Sequence, residues 1–527
     1  MELKDSLIRI TSWNVAGKDP TTVSSLDYLF DDTKRMQQSI RPDIQIVGLQ
    51  EAPQYLFTDP WTSNLSSTLK RRGYILFKRH KLSGILLYIF VLREIILRCR
   101  DMETESVKTG FGGLLGNKGG VSLRFTYNGN SFCATTAHLA AHQENLQQRI
   151  QDYNSILDGT KFLIDTNTSS ILMHDYSFWF GDLNFRLDDI EKHNVLTAIT
   201  KAKTSPKEES YKILSELLKH DQLSSVKNKG LAFEPFNESL PSFLPTYKFQ
   251  IGEKESYDSD QRIPAWTDRI LYRVNNQRKS HRDANFRLEQ LFYDSLPQTE
   301  LSDHKPVVSM FKVATFDPLK YNPSPTPYEV IQFQPIDGWK AGEDGRLWYK
   351  ISNELFYRRP KMLSSLDRLA LFKSDFASLE EYQTVVFANN IARMSPQLDA
   401  REVPYPTSAP SSRASSRNGS RRGSSTSLNS HVSVGTEAIS LNTGMNNETN
   451  VITSTPASTP DQNPSSTPIY VEPVPDDEIG DGFKYFTAVI PDEVLIPGKY
   501  IVLYLKTSKV NEYNVYGISS EINVSPR

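Results

Sequence analysis

The stretch "FWFGDLNFRL" (178–187) runs from aromatic residues into Asp182 and Asn184, two positions apart. In extended chain, side chains at i and i+2 share a face, so the acid and the amide point the same way. Alone, such a pair is an ordinary strand-closing turn, because Asp and Asn both bond nearby backbone. Five other segments end in a comparable way. "SWNV" presents Asn14, "GLQEAP" presents Gln50 and Glu51, and "AHLAAH" presents His138 and His142. "PAWTDRIL" presents Asp268 and Arg269, and "SDHKP" presents Ser302, Asp303 and His304. Each has a bland reading as a cap, a core residue or a solvated acid. Several together, at strand ends where rigid scaffolds carry function, point to one site.

The residue types suit one another. Carboxylates and amides are hard oxygen ligands of the kind Mg²⁺ takes, with substrate phosphate completing its shell. An Asp can accept a proton from water. A His held by a second Asp can stay cationic against a phosphate oxygen. In "GFGGLLGNKGGV" (110–121) the glycines let backbone approach an anion, and Lys118 adds a charge. Its spacing is not that of a Walker loop, so it gives little support for nucleotide binding.

These residues need a scaffold. Residues 1–316 alternate short apolar strands with helical stretches. Strand patterns fall at 7–15, 43–50, 121–127, 131–139, 176–182, 268–274 and 305–313. Leu146, Ile150, Tyr153 and Leu157 recur at helical spacing within 143–157. This predicts an α/β domain with packed sheets. A proline-rich linker follows at 317–327. From Tyr328 to the end, aromatic strand patterns predict an all-β sandwich, interrupted over 396–475 by a segment rich in Ser, Thr, Asn and Pro. That segment is too poor in apolar residues to offset its ordering entropy and reads as disordered. Within it "SSRASSRNGSRRGSSTS" (411–427) repeats Arg shortly before Ser, which suits either a phosphorylated tract or a passive basic linker.

The chain as a whole sets limits. With 527 residues and a net charge of −2, it has no global field to attract nucleic acid or membrane, so an anionic ligand must be held by a local cluster. Two cysteines, Cys99 and Cys133, exclude a disulfide framework and a cysteine-built zinc site and fit a reducing compartment. "GILLYIFVLREIIL" (84–97) is interrupted by Arg93 and Glu94 and is too short to span a bilayer, so it reads as buried strand. "MELKDSLIRI" has no signal-peptide core, and the final "NVSPR" is no prenylation box. The expectation is a soluble cytoplasmic monomer with peripheral membrane contact and no nucleic-acid partner.

"TSWNVAG", "GLQE", "GNKGGVSLRF", "HLAAH", "FWFGDLNFR", "PTYKF", "RIPAWTDRIL" and "SDHKPV" occur in the order found in inositol polyphosphate 5-phosphatases, and residues 7–313 resemble that family. The resemblance implies the endonuclease/exonuclease/phosphatase fold, a two-sheet α/β sandwich flanked by helices. It also implies Mg²⁺-dependent removal of the 5-phosphate from phosphoinositides or soluble inositol phosphates. Carried over by motif, Glu51, Asn14 and Asp303 resemble the metal-holding set, and Asp182 the base that orients and deprotonates water. Asn184 resembles a phosphoryl-oxygen donor, His304 with Asp268 the phosphate-stabilising pair, and His138 a contact to the scissile phosphate. Arg149 and Asp152 look like supports. Asn117, Lys118, Tyr247, Lys248 and Arg262 resemble substrate contacts, the last three around the 4-phosphate. Two departures bear on them: Asp260 stands where a lysine is usual, and Ile150 where an amide is.

Residues 328–527 resemble the SKICH domain that follows the catalytic domain in the skeletal-muscle and kidney-enriched and the proline-rich 5-phosphatases. In such relatives it directs membrane or partner localisation, which implies a protein partner and recruitment to the plasma membrane or endoplasmic reticulum. Its Asp-Trp-Ile-Gly-Leu reads Asp367-Arg368-Leu369-Ala370-Leu371 here. "FGGLLG" (111–116) and "PSFLP" (241–245) are the candidates for apolar, lipid-facing tips. Two rival functions share some of these elements. A nuclease of the same superfamily would cleave abasic DNA, and a phosphoinositide-binding adaptor would bind lipid without releasing phosphate.

Overall fold

The structure is a computed structural model. It describes residues 3–316 apart from 24, 37–39, 56–58, 164, 259–261 and 277–285. It continues with 331–388 apart from 337, 354–363 and 365, then 472–473, and 483–527 apart from 510–511. The expected linker at 317–327 and Asp260 lie outside the described residues. So does the Ser-rich segment, except that Glu472–Pro473, inside the range expected to be disordered, forms a short strand.

The apolar runs become strands β1 (Leu3–Asn14), β2 (Ile44–Gln50), β3 (Tyr74–Leu82), β4 (Ile85–Leu92), β5 (Cys99–Gly110) and β6 (Leu115–Tyr127). They continue as β7 (Asn130–His138), β8 (Tyr176–Asp182), β9 (Asp268–Val274), β10 (Leu288–Ser295) and β11 (Val307–Phe316). One sheet has the order β10-β11-β1-β2-β4-β3, the other β5-β6-β7-β8-β9. The sheets pack face to face. Phe178 of β8 meets Phe311 of β11 with ring centroids 5.0 Å apart. Gly48 lets them close, because a Cβ there would lie 2.5 Å from both Phe180 and Thr136. β2, β4 and β8 are buried along their whole length, as near-continuous apolar sequences between covering layers should be. Helices flank the sandwich. In Pro60–Lys70, Asp59 caps the first turn and Trp61, Leu65 and Leu69 turn one stripe inward.

Register brings the functional ends together. β1 and β2 are parallel, with Asn14 opposite Gln50. β7 and β8 are parallel, with His138 opposite Asp182. β9 runs back along β8, so its first residue, Asp268, faces Asp182. β11 runs antiparallel to β1 with Val307 opposite Ser12, which leaves His304 at the same rim.

The C-terminal region continues the numbering: β12 (Ile331–Phe333), β13 (Trp339–Lys340), β14 (Gly345–Ser352), β15 (Arg368–Lys373) and β16 (Thr384–Phe387). Then come β17 (Glu472–Pro473), β18 (Phe483–Ile490), β19 (Gly498–Lys509), β20 (Glu512–Ile518) and β21 (Ile522–Ser525). One sheet is β12-β14-β18-β17 and the other β13-β21-β19-β15-β16, with β20 on β19. In β14, Leu347, Tyr349 and Ile351 point inward while Arg346 and Trp348 are exposed, the period-two pattern of a sandwich. Asp367 is buried and accepts from the Thr507 amide at 2.9 Å and the Tyr504 hydroxyl at 3.2 Å. Arg368, at the position of the usual tryptophan, lies over Phe387 and Tyr513.

This sandwich is packed onto the two N-terminal sheets. Phe372, Phe376, Leu503 and Val515 belong to the same apolar cluster as Leu76, Phe90 and Ile96. The Leu76 amide donates to Ala377 O at 2.7 Å, and Asn514 Oδ1 accepts from the Met102 amide at 3.3 Å. Arg93 stacks 4.3 Å over the Phe376 ring. β3 is an edge strand of its sheet, and the contact covers part of that edge. β3 and β5 have no counterpart among the sequence patterns, because "FKRHK" and "RDMETES" are charged. Edge position and half-burial permit that composition.

Candidate active site

Glu51 and Asp182 are set by unusual backbone. Glu51 follows β2 with φ +54°, and Asn184 has φ +57°. Non-glycine residues in this region cluster where structure over-determines them. Gly181 precedes Asp182 with φ +138°; a Cβ there would lie 2.0 Å from Ala137 O, so β7 and β8 can close only over glycine.

The two carboxylates converge. Asn14 Nδ2 donates to Asp182 Oδ2 at 2.9 Å and to Glu51 Oε1 at 3.2 Å. Asn14 Oδ1 instead accepts from the Ala16 amide at 2.9 Å, so Asn14 ties the acids together with its nitrogen while its oxygen serves the turn. Asp182 is buried and Glu51 partly open to solvent, with carboxylate oxygens within 4.8 Å of each other. Glu51, His138 and Asp182 offer donor atoms within 4.8 Å of one another, as do Asp182, Asp268 and His304. Two anionic oxygens facing a partly open rim fit a hard dication. Asp303 is half-buried. Burial raises its carboxyl pKa, and the charges of His304 and Lys248 oppose that rise.

His304 stands against Asp182 from the other side, with Nε2 at 4.0 Å from Asp182 Oδ2. Its Nδ1 lies 2.9 Å from Asp268 Oδ2, which also accepts from the hydroxyls of Thr246 at 2.7 Å and Thr267 at 2.9 Å. Burial alone would lower the His304 pKa. The Asp268 and Asp182 charges overcome it and push the ring up to about 9, so it is an imidazolium at neutral pH. Burial alone would raise Asp182, but the His304 charge above all holds it well below the usual carboxylate range.

His138 Nε2 lies 3.2 Å from Asp182 Oδ2 and is hydrogen-bonded to Lys118 Nζ. Burial first and the Lys118 cation second lower its pKa, which makes it the neutral histidine of the pair. Burial also lowers Lys118. Asn184 donates its amide N–H to Asp182 Oδ1 at 3.1 Å and its side-chain nitrogen to Leu139 O at 3.1 Å.

The other sequence-read positions surround this centre. The Tyr247 ring stacks on His304 with centroids 4.3 Å apart. Lys248 Nζ lies 3.4 Å from Asp258. Arg262 Nη2 lies 2.9 Å from His142 Nδ1. Asn117 is exposed on β6, next to Lys118 and so on the opposite face of the strand. Ile150 packs in the helix-side core with Tyr153 and Ile156, which accounts for an apolar residue there. Of the two candidate apolar tips, Phe111, Leu114 and Leu115 are 80%, 72% and 55% exposed. "PSFLP" is different: Phe243 is buried against Tyr293, so this segment is packing rather than a tip. A cavity of about 850 Å³ lies behind it, lined by Phe243, Phe249, Arg35 and Lys203, and does not contain the catalytic constellation.

Arg186 has no place in the motif-by-motif reading. It is buried, its Nε donates to Asn184 O at 3.1 Å, its Nη2 binds Asn184 Oδ1, and its guanidinium lies 4.6 Å over the Tyr247 ring. The signal was present only as proximity: Arg186 stands two residues past Asn184 in "GDLNFR".

Residues 11–310 match the model of endonuclease/exonuclease/phosphatase family 2. The chain is 31% identical over 404 residues to human phosphatidylinositol 4,5-bisphosphate 5-phosphatase A, covering 73% of this chain and 37% of that protein. It is 30% identical over 400 residues to mouse inositol polyphosphate 5-phosphatase K, covering 73% of this chain and 79% of that one. The solved 5-phosphatase domain of SPsynaptojanin, in complex with inositol (1,4)-bisphosphate and calcium ion, is 32% identical, with a TM-score of 0.49, covering 60% of this chain and 86% of that one. The chain belongs to the inositol polyphosphate 5-phosphatases, within endonuclease/exonuclease/phosphatase family 2.

Proposed function

We propose that this protein hydrolyses the 5-phosphate of phosphoinositides, with phosphatidylinositol 4,5-bisphosphate or the 3,4,5-trisphosphate as substrate, by direct attack of water. The observation that carries the reading is the convergence of Glu51, Asp182 and an imidazolium His304 on one rim. A Mg²⁺ held by Glu51, with Asp303 beside it, would supply Lewis-acid polarisation of a phosphate oxygen.

The chain's own groups account for the rest. Asp182, kept anionic, orients the attacking water and takes its proton as transfer advances. A strong base is not required where the transition state is loose. His304 faces the transferring phosphoryl with Nε2–H, because Asp268 occupies Nδ1. Lys118 lines the opposite side and neutralises phosphate oxygens, with the neutral His138 beside it as a hydrogen-bonding group. Asn14 holds the Glu51 and Asp182 carboxylates together against their mutual repulsion. Tyr247, Lys248 and Arg262 grip the 4-phosphate.

The exposed Phe111–Leu115 tip, joined directly to the segment that carries Lys118, would enter the lipid surface and bring the headgroup to the rim. Among the described residues no helix is long and apolar enough to cross a membrane. The C-terminal sandwich would contribute recruitment to that surface or to a protein partner. The test is phosphate release from phosphatidylinositol 4,5-bisphosphate vesicles with Mg²⁺, with and without chelator, beside cleavage of abasic DNA. Chelator-sensitive release of the 5-phosphate supports the reading. DNA cleavage without phosphate release would favour the nuclease, and lipid binding without release the adaptor.

A further inference from the structure

Behind the rim, the helix Gln222–Asn228 begins with two buried side chains that reach several catalytic segments at once. Gln222 Oε1 accepts from Arg149 Nη2 at 2.6 Å and from the Arg186 amide at 2.9 Å. Gln222 Nε2 donates to Asp188 Oδ1 at 2.7 Å, and its backbone amide donates to Arg186 O at 2.9 Å. Asp221 caps the helix through the Ser224 amide and receives Arg269 Nη1 at 3.0 Å.

Each partner leads to the site. Arg149 binds Ala140 O at 3.1 Å and His142 O at 2.6 Å, fixing the turn that follows His138. Arg186 clamps Asn184 and underlies Tyr247. Arg269 directly follows Asp268. Asp188 Oδ1 also takes Gln143 Nε2 at 2.7 Å, so the acid and the amide bridge the His138 turn to the Asn184 strand. The strand ends come from separate parts of the chain and need a common reference. Residues 221–222 are placed to supply one.

Resting on the 5-phosphatase reading, we propose that Gln222 is a positioning residue for the reaction. It sets the His138 turn and the Asn184–Arg186 segment in register with each other, while its neighbour Asp221 anchors Arg269 beside Asp268. The amide suits this role because one side chain both accepts from two donors and donates to an acid. In a buried network a lost partner leaves groups unsatisfied, so the geometry is stiff.

The test uses the full chain. Gln222→Glu keeps both acceptor contacts but sets a carboxylate against Asp188. Adding Asp188→Asn removes that repulsion: with its nitrogen in place of Oδ1 it donates to the residue 222 carboxylate, at the cost of the Gln143 contact that the same oxygen accepts in the wild type. On phosphatidylinositol 4,5-bisphosphate vesicles, Gln222→Glu is expected to lower kcat on the order of 10²-fold, the scale of a small misplacement, with KM within about twofold. Hydrogen exchange across residues 184–188 should quicken, and the Gln222→Glu/Asp188→Asn pair, which loses only the Gln143 contact, should restore most of kcat and of the protection.

A folded Gln222→Glu protein with wild-type kcat and exchange would overturn the proposal. So would a loss in kcat that the double variant leaves unrepaired. Should the single variant fail to fold, Gln222→Met, similar in volume and without hydrogen bonds, replaces it against the double variant. If the wild type releases no phosphate, the 5-phosphatase reading fails, while the exchange comparison still judges the network on its own.

Discussion

His304 Nδ1 and Asp268 Oδ2 are 2.9 Å apart at the rim of the two-sheet sandwich, and this pair decides the charge that His304 carries there. With the imidazole pushed up to about 9, the ring carries its proton throughout the neutral range. A raised histidine pKa gives stability that is full below the ordinary value near 6.5 and is lost as pH rises through about 9. The kcat/KM profile should therefore fall above pH 9, and His304→Gln should abolish that limb. Asp268→Asn should move it towards neutrality. A limb unmoved by Asp268→Asn would contradict the assigned pairing.

Arg262 lies 2.9 Å from His142 Nδ1, on the loop that follows His138. In the proposed function its guanidinium would be a charge-assisted donor for the substrate's 4-phosphate. Arg262→Ala should raise KM for 4-phosphorylated substrates about 10-fold or more while kcat changes little. Steady-state kinetics on vesicles checks this, and an equal KM would remove Arg262 from that contact.

Phe111 and Leu114 are 80% and 72% exposed on the β5–β6 hairpin. An apolar side chain moved from water into lipid contributes about 1.5–3 kcal/mol. The Phe111→Ser/Leu114→Ser pair should weaken turnover of vesicle-borne lipid severalfold or more, with turnover of a short-chain soluble analogue unchanged. Equal losses on both substrates would mean that the tip serves the site rather than the membrane.

The C-terminal sandwich is held to the catalytic sheets by Arg93, which donates to Ser374 O at 3.1 Å and stacks on Phe376. Arg93→Ala should destabilise the protein by about 1–3 kcal/mol, read as a lower midpoint in one cooperative transition. Two separate transitions, unaffected by the substitution, would show that the sandwich folds apart from the enzyme.

The site was legible because its residues sit at the ends of apolar runs, and the end of a buried strand is easy to see in sequence. β8 stops at Asp182, as the apolar pattern predicts, and β7 at His138, one residue before the predicted end. Partnerships were not legible. That Asn14 turns its nitrogen rather than its oxygen to the acids depends on the Ala16 amide. That Gln222 bridges two segments depends on a helix start far away in sequence. Edge strands such as β3 and β5 escaped because half-burial weakens the apolar pattern. The burial of Phe243 depends on Tyr293, some fifty residues on, which no local pattern in "PSFLP" discloses.

The most direct test of the convergence at the rim is Asp182→Asn, which keeps shape and hydrogen-bonding size but removes the charge between Glu51 and His304. Release of the 5-phosphate from phosphatidylinositol 4,5-bisphosphate should fall on the order of 10³-fold or more while the protein stays folded and still binds vesicles. Release at the wild-type rate would contradict the account.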